Sequence, residues 1–262
     1  MKRCFIAKVC IALPTAALIL ISCASTSNTV SKKSPATEAP KTEAAAPAAS
    51  ASDTKMGDWY VFQGNVIPDQ SPLGFKTMNT KGEPAVTTII DDPDAAGNKL
   101  MQITSPDGKD NKLCWGIDLP EIDPNVGGTI AFRVKAAELA PEAMILDIEI
   151  RDGVNRDRLV GKGNGTIKLD KSKTSGEFDP NTWHIFRVTY VEKDGAMNLN
   201  VYMDENSTPL FSGIATESTE STLFRLGDGS GNDYASSIYD WIVWNNKGAF
   251  GPDAALPEGL QK

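Results

Sequence analysis

Histidine and cysteine are scarce in this chain. His184 is the single histidine among 262 residues, and the four cysteines are Cys4, Cys10, Cys23 and Cys114. No Cys/His spacing typical of a zinc site is present, and the sequence contains no P-loop and no Gly-rich dinucleotide motif in a strand context. A cysteine nucleophile is disfavoured, because only His184 is available to activate it and no pattern brings the two together.

Long apolar runs are also missing, except at the N-terminus. Lys2 and Arg3 precede an apolar segment, 5–21, which is typical of a secretory signal. The following Leu20-Ile21-Ser22-Cys23 resembles the lipobox of bacterial lipoproteins. That resemblance implies removal of residues 1–22 and lipidation of Cys23; the alternative is an ordinary secretory signal cleaved nearby. Because Ala24 is not Asp, the resemblance further implies an exported, lipid-anchored protein of the cell envelope, sorted to the outer membrane.

Acidic residues outnumber basic residues, 34 to 26. The formal net charge of −8 becomes −11 once Lys2, Arg3 and Lys8 leave with residues 1–22. An acidic body argues against nucleic acid as a partner, and it limits membrane contact to the N-terminal lipid. With Cys4 and Cys10 removed and Cys23 acylated, Cys114 has no disulfide partner, and we expect it to be a small buried core residue.

Large apolar residues are nearly absent from 23–55, which is rich in Ala, Ser, Thr and Pro. Such a segment cannot bury enough surface to fold, so we predict a disordered linker of roughly 30 Å mean span. Helical patterns are scarce too, since Pro141 interrupts the one candidate at 136–143. Residues 56–252 instead show short β-branched and aromatic runs separated by Gly, Asp and Pro turns, and 253–262 form a C-terminal tail. This pattern predicts an all-β sandwich.

Alternation indicates which faces are buried. Ile130, Phe132 and Val134 share one strand face, and Ile148 and Ile150 share another. Their neighbours are polar, which predicts one face on a core and one in solvent. The aromatic strand 237–244 is apolar on both faces and is expected at the centre of its sheet.

Four segments together resemble the concanavalin A-like lectin/glucanase superfamily, in its laminin-G-like branch. They are Trp183-His-Ile-Phe-Arg-Val188, Asn200-Val-Tyr-Met-Asp204, Phe224-Arg-Leu-Gly-Asp-Gly229 and Tyr239-Asp-Trp-Ile-Val-Trp244. The resemblance implies a jelly-roll β-sandwich of two antiparallel sheets, a fold that carries lectins, glycoside hydrolases, lyases and adhesion modules. The sequence departs from the family at Glu205-Asn206, where a different or longer turn is expected.

One strand carries Asp147, Glu149 and Arg151 on its polar face. Glycosidases of the resembled superfamily place Glu-x-Asp-x-x-Glu on one strand, with the two catalytic carboxyls about 5–5.5 Å apart. Here the second glutamate is absent, and an arginine favours the ionised form of a neighbouring carboxyl group, whereas a general acid must hold a proton. We therefore expect a solvated strand face with ion pairs and no catalytic residue.

Two ligand-binding hypotheses use overlapping residues. A lyase would neutralise a sugar carboxylate with Arg or Asn and use Tyr or His as base, and its candidates would be Arg133, Arg151, Asn200, Tyr202, Tyr239 and His184. A sugar-binding platform would stack aromatic rings on pyranose faces beside polar groups. The ligand-binding prediction comprises Arg133, Glu149, Arg151, Asn200, Tyr202, Tyr239 and Trp241. His184 is more simply explained by packing with Phe186.

A structural calcium ion is the one cofactor that the sequence suggests, and only weakly. Oxygen ligands alternate along Asp228-Gly-Ser-Gly-Asn-Asp233, which makes Asp228, Ser230, Asn232 and Asp233 the candidates. A second oxygen-rich turn contains Asp91, Asp92 and Asp94. Both segments also read as ordinary turns.

The sequence thus favours a lipoprotein whose jelly roll binds a glycan or polysaccharide without catalysis. The alternatives are a polysaccharide lyase or glycoside hydrolase on the same fold, and an adhesion or structural lipoprotein that recognises a protein.

Overall fold

A computed structural model describes residues 53–81, 86–105, 112–119, 122–228 and 234–260. The predicted signal peptide, Cys23 and most of the linker lie outside these residues. In the described part the chain forms seventeen β-strands and one 3₁₀ turn, Pro68–Gln70. The strands are β1 Thr54–Met56, β2 Trp59–Phe62, β3 Lys76–Lys81, β4 Val86–Asp91, β5 Lys99–Ser105, β6 Lys112–Asp118, β7 Gly128–Ala136, β8 Met144–Asp152, β9 Asn155–Lys162, β10 Thr166–Leu169, β11 Thr174–Glu177, β12 His184–Lys193, β13 Ala196–Met203, β14 Phe211–Ala215, β15 Glu217–Ser218, β16 Thr222–Asp228 and β17 Ala235–Asn245.

The strands form two antiparallel layers. In sheet I, β17 pairs with β7, which continues through β12 and β13 to β14. The other side of β17 pairs with β5 along its first half and with β2 along its second half. In sheet II the order is β3-β6-β16-β8-β9, and β10 and β15 both pair with the far side of β9. The predicted jelly-roll β-sandwich of two antiparallel sheets is confirmed, and β17 is central to its sheet.

The main core lies between the two sheets. Ile130, Phe132 and Val134 of sheet I and Ile148 and Ile150 of sheet II are at most 2% exposed, as their alternation predicts. Burying each such side chain contributes about 1.5–3 kcal/mol before entropy is counted.

Aromatic contacts join the layers at one end of the core. The Trp244 ring of sheet I lies 5.7 Å from Phe224 of sheet II and 5.6 Å from Phe75. Cys114 is 1% exposed, so its thiol is part of the packed interior as predicted.

The turn after β13 contains the acidic residues Asp204 and Glu205. Asp204 and Glu205 have φ values of 53° and 57°, a left-handed conformation that disfavours non-glycine residues. Both carboxylates are held by β12: Asp204 accepts the Ile185 N–H at 3.0 Å, and Glu205 accepts the Arg187 guanidinium. These bonds offset the strain of the turn.

A second, smaller apolar cluster lies on the outer face of sheet I. Trp241, Ile185 and Val243 are among its five buried members, and Leu256 and Leu260 pack against it from the C-terminal segment. Residues 250–260, called the C-terminal strap below, therefore cover this face.

No helix among the described residues is long and apolar enough to cross a membrane.

Candidate functional site

A cluster of charged side chains lies on the outer face of sheet II. A cleft of about 190 Å³ opens over β8, β9 and β16, between the strands and the turn after β10. We call it the arginine cleft. It is lined by Glu149, Arg151, Arg156, Asp157, Arg158, Asp170, Lys171 and Arg225.

Glu149 lies at the centre of the cleft and is bound by three arginines. Arg151 donates Nε–H to Glu149 Oε1 at 2.7 Å, and Arg156 Nη1 lies 3.5 Å from the same oxygen. Arg225 binds Oε2 from the neighbouring strand β16. The Glu149 side chain is only 6% exposed. The predicted cross-strand ion pairs are present, but the predicted solvated face is wrong, because the arginines cover the carboxylate.

Asp147 has a similar environment one pleat away along β8. Arg158 of β9 donates Nε–H to Oδ1 at 2.5 Å and Nη2–H to Oδ2 at 2.8 Å, a bidentate pair. Burial alone would lower the pKa of the Arg158 guanidinium. The charge attraction and hydrogen bonds to the Asp147 carboxylate outweigh this effect, so the pKa of Arg158 lies above its ordinary value. Both outward carboxylates of β8 are thus occupied by guanidinium groups.

Asp157 fixes the rim of the cleft. Its buried carboxylate accepts the main-chain N–H groups of Arg158 at 2.6 Å, Lys171 at 2.8 Å and Ser172 at 3.0 Å, and the Ser172 hydroxyl at 2.5 Å. These bonds tie the turn after β10 to β9 and place Lys171 at the mouth of the cleft. There Lys171 Nζ lies 3.0 Å from Glu217. Hydrogen bonds from Lys171 and Arg156 lower the pKa of the Glu217 carboxyl, which keeps the rim ionised.

The structure does not bring the predicted ligand residues together. Glu149 and Arg151 lie in the arginine cleft on sheet II, whereas Arg133, Asn200 and Tyr202 belong to β7 and β13 of sheet I. Arg133 donates Nη1–H to Asp240 at 2.7 Å and lies 4.3 Å from the Trp183 ring. Asn200 Oδ1 accepts the Ser212 hydroxyl at 2.7 Å, and Tyr202 is half-buried. A joint polar surface is excluded, because the two groups lie on different sheets.

Tyr239 and Trp241 are each 1% exposed, so the prediction that they form a sugar-stacking platform is wrong. A β-bulge between them turns Tyr239 into the core, while Trp241 points outward beneath the C-terminal strap. Burial raises the pKa of the Tyr239 hydroxyl, which removes it as a base near neutral pH. The predicted lyase set is therefore not assembled.

His184 takes part in an arrangement that resembles a catalytic triad. Its Nδ1 lies 2.8 Å from Asp204 Oδ2, and its Nε2 lies 3.0 Å from the Thr182 hydroxyl. However, Nε2 also lies 2.9 Å from the Asp179 carbonyl oxygen, which can only accept a hydrogen bond. The Thr182 hydroxyl donates to the same carbonyl oxygen at 3.3 Å, so its proton points away from His184. His184 also lies 5.8 Å from Phe186 by ring centroids, as expected for a packing role.

The calcium prediction is only partly covered by the structure. The Asp228 side chain, Ser230, Asn232 and Asp233 lie outside the described residues. In the alternative turn, Asp92 accepts the Asp94 N–H at 2.9 Å and an Asn98 N–H at 2.9 Å, and Asp91 pairs with Lys99. The residues that the structure describes contain no group of three or more His, Cys, Asp or Glu able to hold a metal. The side-chain hydrogen bonds of Asp92 order the turn at 91–94.

Sequence reasoning missed most of the cleft. Arg156, Arg158, Lys171 and Arg225 were not among the predicted ligand residues. Arg156 and Arg158 flank Asp157 with a period of two, a charge alternation that signals a strand with one polar face.

No protein-family model matches the chain, and no curated protein matches it by sequence. Several solved structures align with most of this chain. A carbohydrate esterase from the Shiga toxin-encoding bacteriophage phi24B aligns with 14% identity over 71% of this chain and 97% of its own, with a TM-score of 0.48. The Crh5 transglycosylase aligns with 11% identity over 73% and 85%, at 0.47. A β-1,3-glucanase from Mycobacterium marinum aligns with 14% identity over 75% and 94%, at 0.37. All three TM-scores are below 0.5, and these alignments select no function.

Proposed function

We propose that this protein is an exported lipoprotein that binds polysaccharide in the arginine cleft and does not cleave it. The observation that carries the proposal is the occupation of both outward carboxylates of β8, Glu149 by three arginines and Asp147 by Arg158. A glycosidase needs one carboxyl group that holds a proton and donates it to the leaving group. Here both carboxylates are buried beneath the guanidinium groups that bind them, at 2% and 6% exposed, so neither is placed to reach a leaving-group oxygen.

The same arginines supply what a binding site needs. Each guanidinium has five N–H donors in a fixed plane, and those of Arg151 and Arg156 remain partly exposed, at 24% and 34%. Their positions are fixed by bonds to Glu149, so little side-chain freedom is lost when a ligand binds. Sugar oxygens are acceptors that such pre-ordered donors recognise.

Arg151→Met and Arg156→Met test the site. Each change removes charge-assisted hydrogen bonds, and we expect each to weaken polysaccharide binding by about tenfold. Retention in affinity gels containing a panel of polysaccharides measures this, with the exposed Lys193→Met as the charge-matched control. Unchanged retention in both cleft variants would contradict the site. New reducing or unsaturated ends released by the wild-type protein would support the hydrolase or lyase alternative instead.

Cys23→Ser tests the anchor. If Cys23 carries the lipid, the variant will fail to incorporate radiolabelled palmitate in the producing cells and will leave the membrane fraction, because the acyl chains supply the membrane affinity. The wild-type protein should partition with the outer membrane. Equal labelling of wild type and Cys23→Ser would mean that the chain is not lipidated at this residue.

A further inference from the structure

A pocket of about 290 Å³ opens between the two sheets, beside the aromatic contacts that join them. We call it the interlayer pocket. Sheet I supplies Tyr60 of β2, Trp244 of β17 and Asn246, which follows β17. Sheet II supplies Ile117 and Asp118 of β6. The interlayer pocket shares no described lining residue with the arginine cleft, so the two are separate sites.

The floor of the interlayer pocket is apolar. Ile117 and Leu119 line it and are 9% and 1% exposed. Trp244 stacks on Tyr60 with the ring centroids 5.2 Å apart, and Lys55 Nζ lies 5.0 Å from the Tyr60 centroid. A ligand therefore meets the edge of the Tyr60 ring, and its apolar contacts come from the aliphatic side chains of the floor.

Asn246 has an unused hydrogen-bond acceptor at this pocket. The residue is 5% exposed, and its Oδ1 is buried with no hydrogen-bond partner among the described residues. Buried side-chain oxygens nearly always have a partner, because an unpaired one costs free energy. The last torsion of an asparagine is soft, so the carboxamide can turn toward a ligand in the pocket. A hydroxyl group there supplies the missing donor.

The rim of the interlayer pocket carries two charges that cancel. Lys76 Nζ lies 3.1 Å from Asp118 Oδ2, and the two side chains are 73% and 68% exposed. Of the described lining residues, only these two are charged. An ion pair this exposed is weak, so both groups can also bind a ligand. Together with Asn246 they offer donors and acceptors without net charge, which matches hydroxyl groups, since a hydroxyl both donates and accepts.

The mouth of the pocket stays open at Gly74. Its φ of 89° is a left-handed conformation that favours glycine, and a Cβ atom there would have nothing within 4 Å. The volume of about 290 Å³ is close to the lower limit of small-molecule sites, about 300 Å³. The pocket therefore accepts one ring and excludes a polymer segment.

We propose that the interlayer pocket binds one uncharged sugar residue, either free or at the end of a glycan. The apolar C–H face of the sugar ring packs on Ile117 and Leu119, and its hydroxyl groups bind Asn246, Lys76 and Asp118. This second ligand site goes beyond the proposed function and does not depend on the arginine cleft.

Small glycosides test this inference with the full-length protein. The methyl glycosides of glucose, galactose, mannose and N-acetylglucosamine are titrated, with methyl glucuronide and cyclohexanol as the charged and the apolar comparison. Saturation-transfer NMR measures the binding. We expect at least one neutral glycoside to bind saturably and about tenfold more tightly than both comparison compounds, because several hydrogen bonds distinguish it from them.

Asn246→Leu separates a binding role from a structural one. Leucine has a similar shape but no amide, so the binding of the neutral glycoside should weaken about tenfold. Because the lost oxygen has no partner, the Tm should stay the same or rise. An asparagine with a purely structural role would show the reverse, a lower Tm and unchanged binding. Asn206→Leu, in the exposed turn after β13, is the matched control and should bind like the wild type.

Asp118→Ala takes the place of Asn246→Leu if the latter does not fold, because Asp118 is exposed at the rim. We expect a severalfold loss of glycoside binding in this variant, and unchanged binding would overturn the inference.

Three other results would overturn the inference as well. They are the absence of saturable binding by every neutral glycoside, equal affinity of the wild type and Asn246→Leu, and binding of cyclohexanol or methyl glucuronide as tight as that of the glycosides. Retention on polysaccharide gels, which tests the arginine cleft, is a separate measurement. Failure of the proposed function and failure of the interlayer pocket are therefore distinguishable.

Discussion

Replacing Arg187 with methionine is expected to destabilise the domain by about 3–5 kcal/mol, because it removes one partner from a buried charge network. The Arg187 side chain is 0% exposed and pairs with Glu205. Its Nη1 also donates to the carbonyl oxygens of Phe250 at 3.2 Å, Gly251 at 2.5 Å and Ala254 at 2.9 Å. Without Arg187, those carbonyls and a carboxylate lose their donor, and the C-terminal strap is released.

Thermal unfolding followed by circular dichroism measures the effect, with a fall in Tm of roughly 10 °C expected. Arg187→Lys should be intermediate, because one ammonium cannot replace the whole fork. Tryptophan fluorescence should shift to longer wavelength, because Leu256 and Leu260 no longer shield the Trp241 side chain from water. A melting temperature within 1 °C of the wild type, about the error of such a scan, would show that the strap does not depend on Arg187.

Asp157→Ala is expected to cost about 3 kcal/mol and to loosen the arginine cleft as well. The change leaves the main-chain N–H groups of Arg158, Lys171 and Ser172 without their acceptor. Each unsatisfied buried donor costs about 1–3 kcal/mol, and partial access of water reduces the sum. Because the turn after β10 is no longer fixed to β9, Lys171 loses its position and ligand affinity should fall severalfold.

Urea unfolding gives the free energy, and affinity gels give the binding. Asp157→Asn keeps one acceptor oxygen, so it should lose less stability than Asp157→Ala. Ser172→Ala removes the hydroxyl bond alone and should cost about 1 kcal/mol. If Asp157→Ala unfolds at the wild-type urea concentration, the carboxylate does not hold the turn.

The fold was largely readable from the sequence, because apolar alternation is a local signal. The runs 129–135 and 145–151 gave the inward residues of β7 and β8 correctly. The strand β9 has a weak local signal, since Asn-Arg-Asp-Arg at its start lacks the β-branched and aromatic residues by which strands are recognised. Its position between β8 and β10 depends on long-range pairing, which a single sequence does not display.

The site was readable only in part. The polar face of β8 follows from its alternation. The burial of Glu149 depends on Arg156 of β9, which follows the next turn, and on Arg225 of β16, which lies much further along the chain. Trp241 was expected at the surface because nothing in its own strand covers it. Its cover comes from Leu256 and Leu260, beyond the last strand. The bulge after Tyr239 reversed the inferred face of that residue, and bulges leave no period-2 signature.

The most direct test of binding without cleavage measures polysaccharide binding and polysaccharide cleavage in the same reaction mixture. Wild-type protein and Arg151→Met/Arg156→Met are incubated with each polysaccharide of the panel, and bound protein, reducing ends and unsaturated ends are measured over time. The account predicts that wild-type protein is retained, that the double variant is released, and that no new ends form with either. New ends that accumulate with wild-type protein, or equal retention of both proteins, would contradict it.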